Sequence, residues 1–193
     1  MLDDPPATLD YQWRPVFGWK VVATAFTLAA FSFGIGFYGP SVFIEVLHWE
    51  RGWPLPVISA AITTHFLISA ILVTRLPYAH RRFGVAAVTF GGVAALAIGV
   101  CGWSIASAQW QLFAASLVSG CGWAATSGAA IIAIVTPWFE QRRALALGHA
   151  LNGASFGGVV FTPVWVMLVA DLGFTLATIA FGIVALAVLG PLA

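Results

Sequence analysis

Charged side chains cut this chain into uncharged runs, and the lengths of those runs predict its elements. There are 24 uncharged residues between Lys20 and Glu45, 23 between Arg51 and Arg75, and 57 between Arg82 and Glu140. A further 27 separate Arg143 from Asp171, and 22 follow Asp171. Each run is continuously apolar, without the two-residue alternation of a barrel strand, so each reads as helix. A helix needs about 20 apolar residues to cross hydrocarbon, so the longest run holds two. Six transmembrane helices follow, near 19–45, 56–76, 84–104, 110–137, 144–169 and 173–193. Turn markers separate them: Gly52-Trp53-Pro54-Leu55-Pro56, the Pro77 to Phe83 link, Ala108-Gln109-Trp110-Gln111, and Asp171-Leu172-Gly173.

Composition narrows the class. Of 193 residues only 8% are charged while 61% are hydrophobic, and the mean hydropathy is +0.96. Such a chain can neither clothe a soluble globule in charge nor remain disordered, which requires polar composition. An all-α integral membrane protein remains. The net charge of +1 offers no basic patch for nucleic acid, so the expected surroundings are a lipid bilayer and a small-molecule solute. Cys101 and Cys121 lie in apolar runs with no Cys or His at ligand spacing, so neither a metal nor any other cofactor is expected. Residues 1–18 are acidic and Pro-containing at their start, unlike a signal peptide, and read as a tail before a retained first helix.

Charge placement orients the chain. With the N-terminus inside, Arg14, Lys20, Arg75, Arg81, Arg82, Arg142 and Arg143 are all cytoplasmic and only Arg51 is outside. That bias predicts a multi-pass protein of the cell membrane with both termini cytoplasmic. Trp49, Trp53, Trp103, Trp110, Trp138 and Trp165 fall near the expected interfaces, as an aromatic belt would.

Two motifs are set aside on context. Gly34-Ile35-Gly36-Phe37-Tyr38-Gly39 spells a dinucleotide fingerprint, which functions only between a strand and a helix. Gly153-Ala154-Ser155-Phe156-Gly157 spells a nucleophile elbow, but no base stands at helical spacing from Ser155. Within membrane helices both read as small-residue contacts. Gly153 and Gly157 share a face, while Gly148 lies about 140° round the helix from Gly153. No enzymatic site is expected.

Two segments carry a family resemblance. Trp138-Phe139-Glu140-Gln141-Arg142-Arg143-Ala144-Leu145-Ala146-Leu147-Gly148, continuing through Asn152-Gly153-Ala154-Ser155-Phe156-Gly157-Gly158 to Pro163, resembles the entry to the fifth helix in the major facilitator superfamily. More narrowly, it resembles the monocarboxylate-porter and oxalate/formate-antiporter branch. Arg81-Arg82-Phe83-Gly84 resembles the superfamily loop G-x-L-x-D-R-x-G-R through Arg82 and Gly84, and Gly18-Trp19 is a weaker match. The chain departs from that pattern at Arg81, where the loop has its acid, and at Pro77, where it has its leading Gly. It also lacks the buried first-helix Lys of true monocarboxylate porters.

The resemblance implies one six-helix bundle, an inverted 3+3 repeat, forming the N-terminal half of a transporter. The implied function is alternating-access transport of a small solute, with an organic anion and proton coupling suggested by the branch. The implied partner is a second six-helix half or a second copy. A truncated frame or fragment, acting as a non-transporting membrane module, is the alternative.

Candidate chemistry is sparse. His65 and Asn152 lie about 13 and 12 Å into the second and fifth helices at 1.5 Å per residue, near the midplane where transporter sites are built. Those helices are equivalent in the implied repeat. Intramembrane ionisable groups are functional candidates, although His65 could simply bond Thr64 or a nearby carbonyl. Arg81, Arg82, Arg142 and Arg143 are candidates for a cytoplasmic gate, or else only set topology. Glu45 and Glu50 are expected at the outer face in structural roles.

Overall fold

The computed structural model describes residues 10–192, with side chains from Gly18 onward. Most of the tail assigned to residues 1–18, including the Arg14 side chain, therefore lies outside what is described. Among the described residues every regular element is helical, and six helices are long and apolar enough to cross a membrane. The first, Gly18–Arg51, is a pair: α1 (Asp10–Gly36) and α2 (Gly39–Arg51). The second is α3 (Leu55–Val73) and the third α5 (Val85–Ile105). The fourth, Gln109–Trp138, is again divided, into α6 (Gln109–Thr126), α7 (Gly128–Val135) and a 3-10 turn at Thr136–Trp138. The last two are α8 (Arg143–Leu172) and α9 (Phe174–Leu189), which ends in a second 3-10 turn.

The link after the second span is itself a helix, α4 (Leu76–Phe83). Pro77 falls in its first turn, where a missing N–H costs nothing. His80, Arg81 and Arg82 crowd its last turn, next to the negative end of its dipole. Gly84 then turns the chain into α5 at φ +84°, a region open to glycine.

Small residues set the packing, as they do between helices in lipid. α1 runs along α8, α5 along α6, α3 along α6, and α5 along α9. A Cβ on Gly153 would strike the Phe26 carbonyl oxygen, and one on Gly157 the Ala30 carbonyl oxygen, both on α1. Gly99 of α5 and Gly120 and Gly122 of α6 likewise face backbone of the neighbouring helix. Gly148 has open space around it.

Two of the spans are thus divided, the first at Phe37–Tyr38 and the fourth at Ser127. The first break has a chemical cause. Pro40 has no N–H, so the Gly36 carbonyl loses its partner four residues on. Phe33 accepts from both Phe37 N and Tyr38 N, at 3.0 and 2.9 Å. The Gly34 carbonyl instead accepts Trp165 Nε1–H of α8 at 3.0 Å. The expected uninterrupted helix over 19–45 is thus two helices, and Trp165 bridges the joint.

The tryptophans divide as well. Trp49, Trp110 and Trp138 are exposed near helix ends, whereas Trp103 and Trp165 are buried inside the bundle. The last two belong to the core and not to a belt.

Candidate functional site

Non-helical backbone is tolerated at membrane depth only where it is buried in protein or lines a water-filled cavity. Phe37 and Tyr38 are the non-helical residues of the first span and lie near its middle. Phe37 is also 49% exposed. The N–H groups of Phe37 and Tyr38 both bond the Phe33 carbonyl, so the break is closed at those donors while Phe37 remains exposed beside it. The exposed break picks out one side of the bundle at mid-depth.

Behind this face sits His65, 2% exposed and near the middle of α3. Gly120 on α6 permits the approach, since a Cβ there would collide with the His65 carbonyl oxygen. His65 Nδ1 lies 2.8 Å from Ser119 Oγ of α6. Trp103 Nε1–H donates to the same oxygen at 3.3 Å, and the Ser119 hydroxyl can donate to the Ser116 carbonyl at 3.2 Å. Thr64, the neighbour expected to hold the imidazole, bonds the Ala60 carbonyl instead. Nε2 is buried without a hydrogen-bond partner. The helix break and the histidine meet through Phe66, whose ring contacts both His65 and Phe37.

The hydrogens can be counted. Ser119 has one. When it goes to Ser116 O, Nδ1 must be the donor to Ser119 Oγ. When it goes to Nδ1, the ring's own hydrogen sits on Nε2. A doubly protonated ring donates from Nδ1 to Ser119, with Ser119 donating to Ser116, while its Nε2–H has no acceptor among the described residues. The cage thus accepts one of the two hydrogens of the imidazolium.

In front of the histidine is an aromatic layer drawn from three spans. Trp123 of α6 meets Phe33 of α1 edge-on at 4.8 Å and His65 at 6.3 Å. Phe66, next to His65, meets Phe37 at 5.9 Å. Phe37 stacks over Trp123 at 6.3 Å and touches Tyr38 edge-on at 5.1 Å. Tyr38 in turn leans on Gly158 of α8, where a Cβ would press into its ring.

The other candidates fall elsewhere. Asn152 is exposed on α8, on a stripe with Phe156, Val159 and Val166. It faces away from the Gly153–Gly157 seam, and the structure does not bring it to His65. Arg81, Arg82 and Arg142 are exposed, and Arg82 lies over the Phe83 ring. Arg143 Nε donates to the Phe139 carbonyl at 3.1 Å. Glu45 and Glu50 are exposed on α2.

Several members of the site escape a sequence reading: Ser119, Trp103, Trp123 and Phe37. Pro40 is a visible signal of the break, because it leaves the Gly36 carbonyl without its helical partner. Ser116 and Ser119, three apart, mark a polar face on α6 in the same way.

Comparison with known proteins bears on the class. No family model matches the chain. It is 30% identical over 155 residues to monocarboxylate transporter 13 of Rattus norvegicus, a match covering 77% of this chain and 34% of that protein. It is 38% identical over 60 residues to the MFS-type transporter pynF of Aspergillus niger, covering 31% of this chain and 14% of that protein. The chain thus spans about a third or less of the curated relatives it matches. Together with the six apolar helices, these similarities support a multi-pass membrane protein related to transporters of the major facilitator superfamily.

Proposed function

We propose that this chain forms one six-helix bundle of a major-facilitator-type secondary transporter, of the monocarboxylate-porter or oxalate/formate-antiporter kind. It moves a small organic anion by alternating access, with a proton carried on His65. The observation that carries this reading is the break at Phe37–Tyr38: exposed, non-helical, at mid-depth, and directly in front of a buried histidine. Discontinuous helices that meet at the midplane are how transporters build sites. Ser119 supports the proton, since its hydroxyl can accept the Nδ1 hydrogen of the charged ring at 2.8 Å. A proton and an anion bound together neutralise each other, which makes symport thermodynamically coherent.

The exposed side of the break is closed by a second six-helix unit, in the same polypeptide or in another copy, and Asn152 on α8 is a candidate contact to solute or to that unit. The protein resides in the cell membrane with both termini cytoplasmic. The excess of Lys and Arg at one set of span ends supports this orientation, and the contacts show which span ends lie together. Gly18 and Trp19 meet Phe139 at one end, while Arg51 reaches Ser104 and Ala106 at the other. Arg81, Arg82, Arg142 and Arg143 then lie at the cytoplasmic end, where a gate would need them.

Labelled monocarboxylate uptake into proteoliposomes of the full-length protein tests the reading. Uptake should follow an imposed inward proton gradient and collapse with a protonophore. Uptake that ignores the gradient would contradict proton coupling. No uptake of any organic acid would favour a non-transporting module.

A further inference from the structure

The aromatic layer in front of His65 has a consequence for the solute. The exposed residues along the spans are mostly aliphatic, as with Ile98, Ile105, Leu176 and Ile183, with Phe90 and Phe156 also exposed. Aromatic side chains in membrane proteins gather at the two interfaces, so a packed cluster of rings near the middle of the spans calls for another role. Here Phe37 stands 49% exposed at the break in the first span. Behind it Trp123 is nearly buried at 7%, and Phe33 and Phe66 brace both at ring distances of 4.8 to 6.3 Å. The rings are drawn from three spans, so the surface is held before anything binds, and less ordering is needed on binding.

Charge is arranged around this surface in one way. The acidic and basic residues from Lys20 to Asp171 stand at the span ends, so among the described residues no arginine or lysine reaches mid-depth. The nearest group able to become positive is His65, whose ring centre lies 4.9 Å from that of Phe66. It is covered by the aromatic layer, and its Nε2 is unsatisfied. A solute resting on this face thus meets flat hydrocarbon first and finds its positive complement behind it.

Building on the transport reading above, we infer that the solute is an organic acid carrying an aromatic ring or comparable flat unsaturated body, which stacks on Phe37 and the Tyr38 edge. Short aliphatic acids such as acetate would leave this surface uncovered, and dicarboxylates such as oxalate would bring a second charge against it. Phe37 determines specificity by contact with the solute body. His65 supplies the charge balance.

The test is uptake of phenylacetate and of acetate by the full-length protein, for the unaltered chain, Phe37→Leu and Phe37→Tyr. Phenylacetate should have the lower KM. Phe37→Leu should raise that KM roughly three- to tenfold, the range of one aromatic pair, and should raise it by more than it raises the KM for acetate. Phe37→Tyr should restore it. Equal KM values for the two acids, or an equal loss for both in Phe37→Leu, would overturn the inference and make Phe37 a packing residue against the second bundle. If neither acid is transported, the proton–anion reading fails first. Thermal stabilisation of the purified protein by phenylacetate or its neutral amide then decides. A shift that Phe37→Leu abolishes keeps the aromatic site, and the absence of any shift overturns it.

Discussion

The two ends of this bundle are held in different ways. At the Arg51 end, polar groups knit successive spans together. The Arg51 guanidinium donates to the Ser104 and Ala106 carbonyls, which α5 leaves free at its C-terminus. Thr175 Oγ1 donates to the same Ser104 carbonyl at 3.4 Å, and Thr178 Oγ1 to Ser104 Oγ at 2.8 Å. Gln111 closes the N-terminus of α6 through the Ser107 and Ala108 N–H groups. At the Arg81 end rings meet, Trp19 against Phe139 and His149, and Arg143 Nε donates to the Phe139 carbonyl at 3.1 Å. A cleft opens there between Thr24, Leu28, Val85, Thr89, Leu189 and Leu192, and the Thr89 hydroxyl is buried without a partner. Directional bonds from other spans to the carbonyls that end α5 distinguish the Arg51 end.

α8 shows the same gradient, and substitutions along it should break the comparison most severely. Gly157→Leu forces a side chain into the Ala30 carbonyl and should cost about 3 kcal/mol, read as lost folded protein in a detergent melt. Gly153→Leu should behave alike. Gly148→Leu, beside open space, should stay within about 0.5 kcal/mol. Equal losses at all three would mean that α8 is packed evenly along its length.

Arginines give the next contrast. Arg51→Ala removes charged hydrogen bonds to two helix-terminal carbonyls and should cost about 2 kcal/mol. Arg81→Ala removes an exposed charge and should cost about 0.5 kcal/mol or less. Similar melting losses for the two would put the bundle's anchors at both ends.

Threonines give the smallest. Thr178→Val should cost about 0.6 kcal/mol, the mean for hydrogen bonds between membrane helices. Thr89→Val replaces an unsatisfied buried hydroxyl with a methyl and should be neutral or stabilising by about 1 kcal/mol. Destabilisation at Thr89 would indicate a partner for that hydroxyl.

How much of this was legible in the chain varies with the range of the interaction. The spans follow from where Lys20, Arg51, Arg82 and Asp171 interrupt apolar sequence, because charge in hydrocarbon is forbidden locally. The loop glycines are equally plain, and Gly84 and Gly173 do take positive φ. The division of the first span was only half visible. Pro40 announces a lost hydrogen bond, but the surrounding run is as apolar as any helix, and nothing local says that Trp165, 131 residues from Gly34, will take up the slack. His65 shows itself as an ionisable residue at depth. Its partner Ser119 is 54 residues away and looks like any small residue of a membrane helix. Asn152, its counterpart by helix order, turns outward because Gly153 and Gly157 claim the inward face for α1. Depth can be counted from sequence, but facing is decided by neighbours.

The central claim is that the imidazole between the broken first span and Ser119 carries the transported proton. The direct measurement is initial uptake by the full-length protein from about pH 8 down to about pH 5.5, where imidazole titrates, comparing His65 with His65→Gln. The account predicts uptake that climbs steeply as pH falls in the unaltered protein, and a flat profile in His65→Gln. An unchanged slope in His65→Gln would contradict it and leave His65 as a core residue bonded to Ser119.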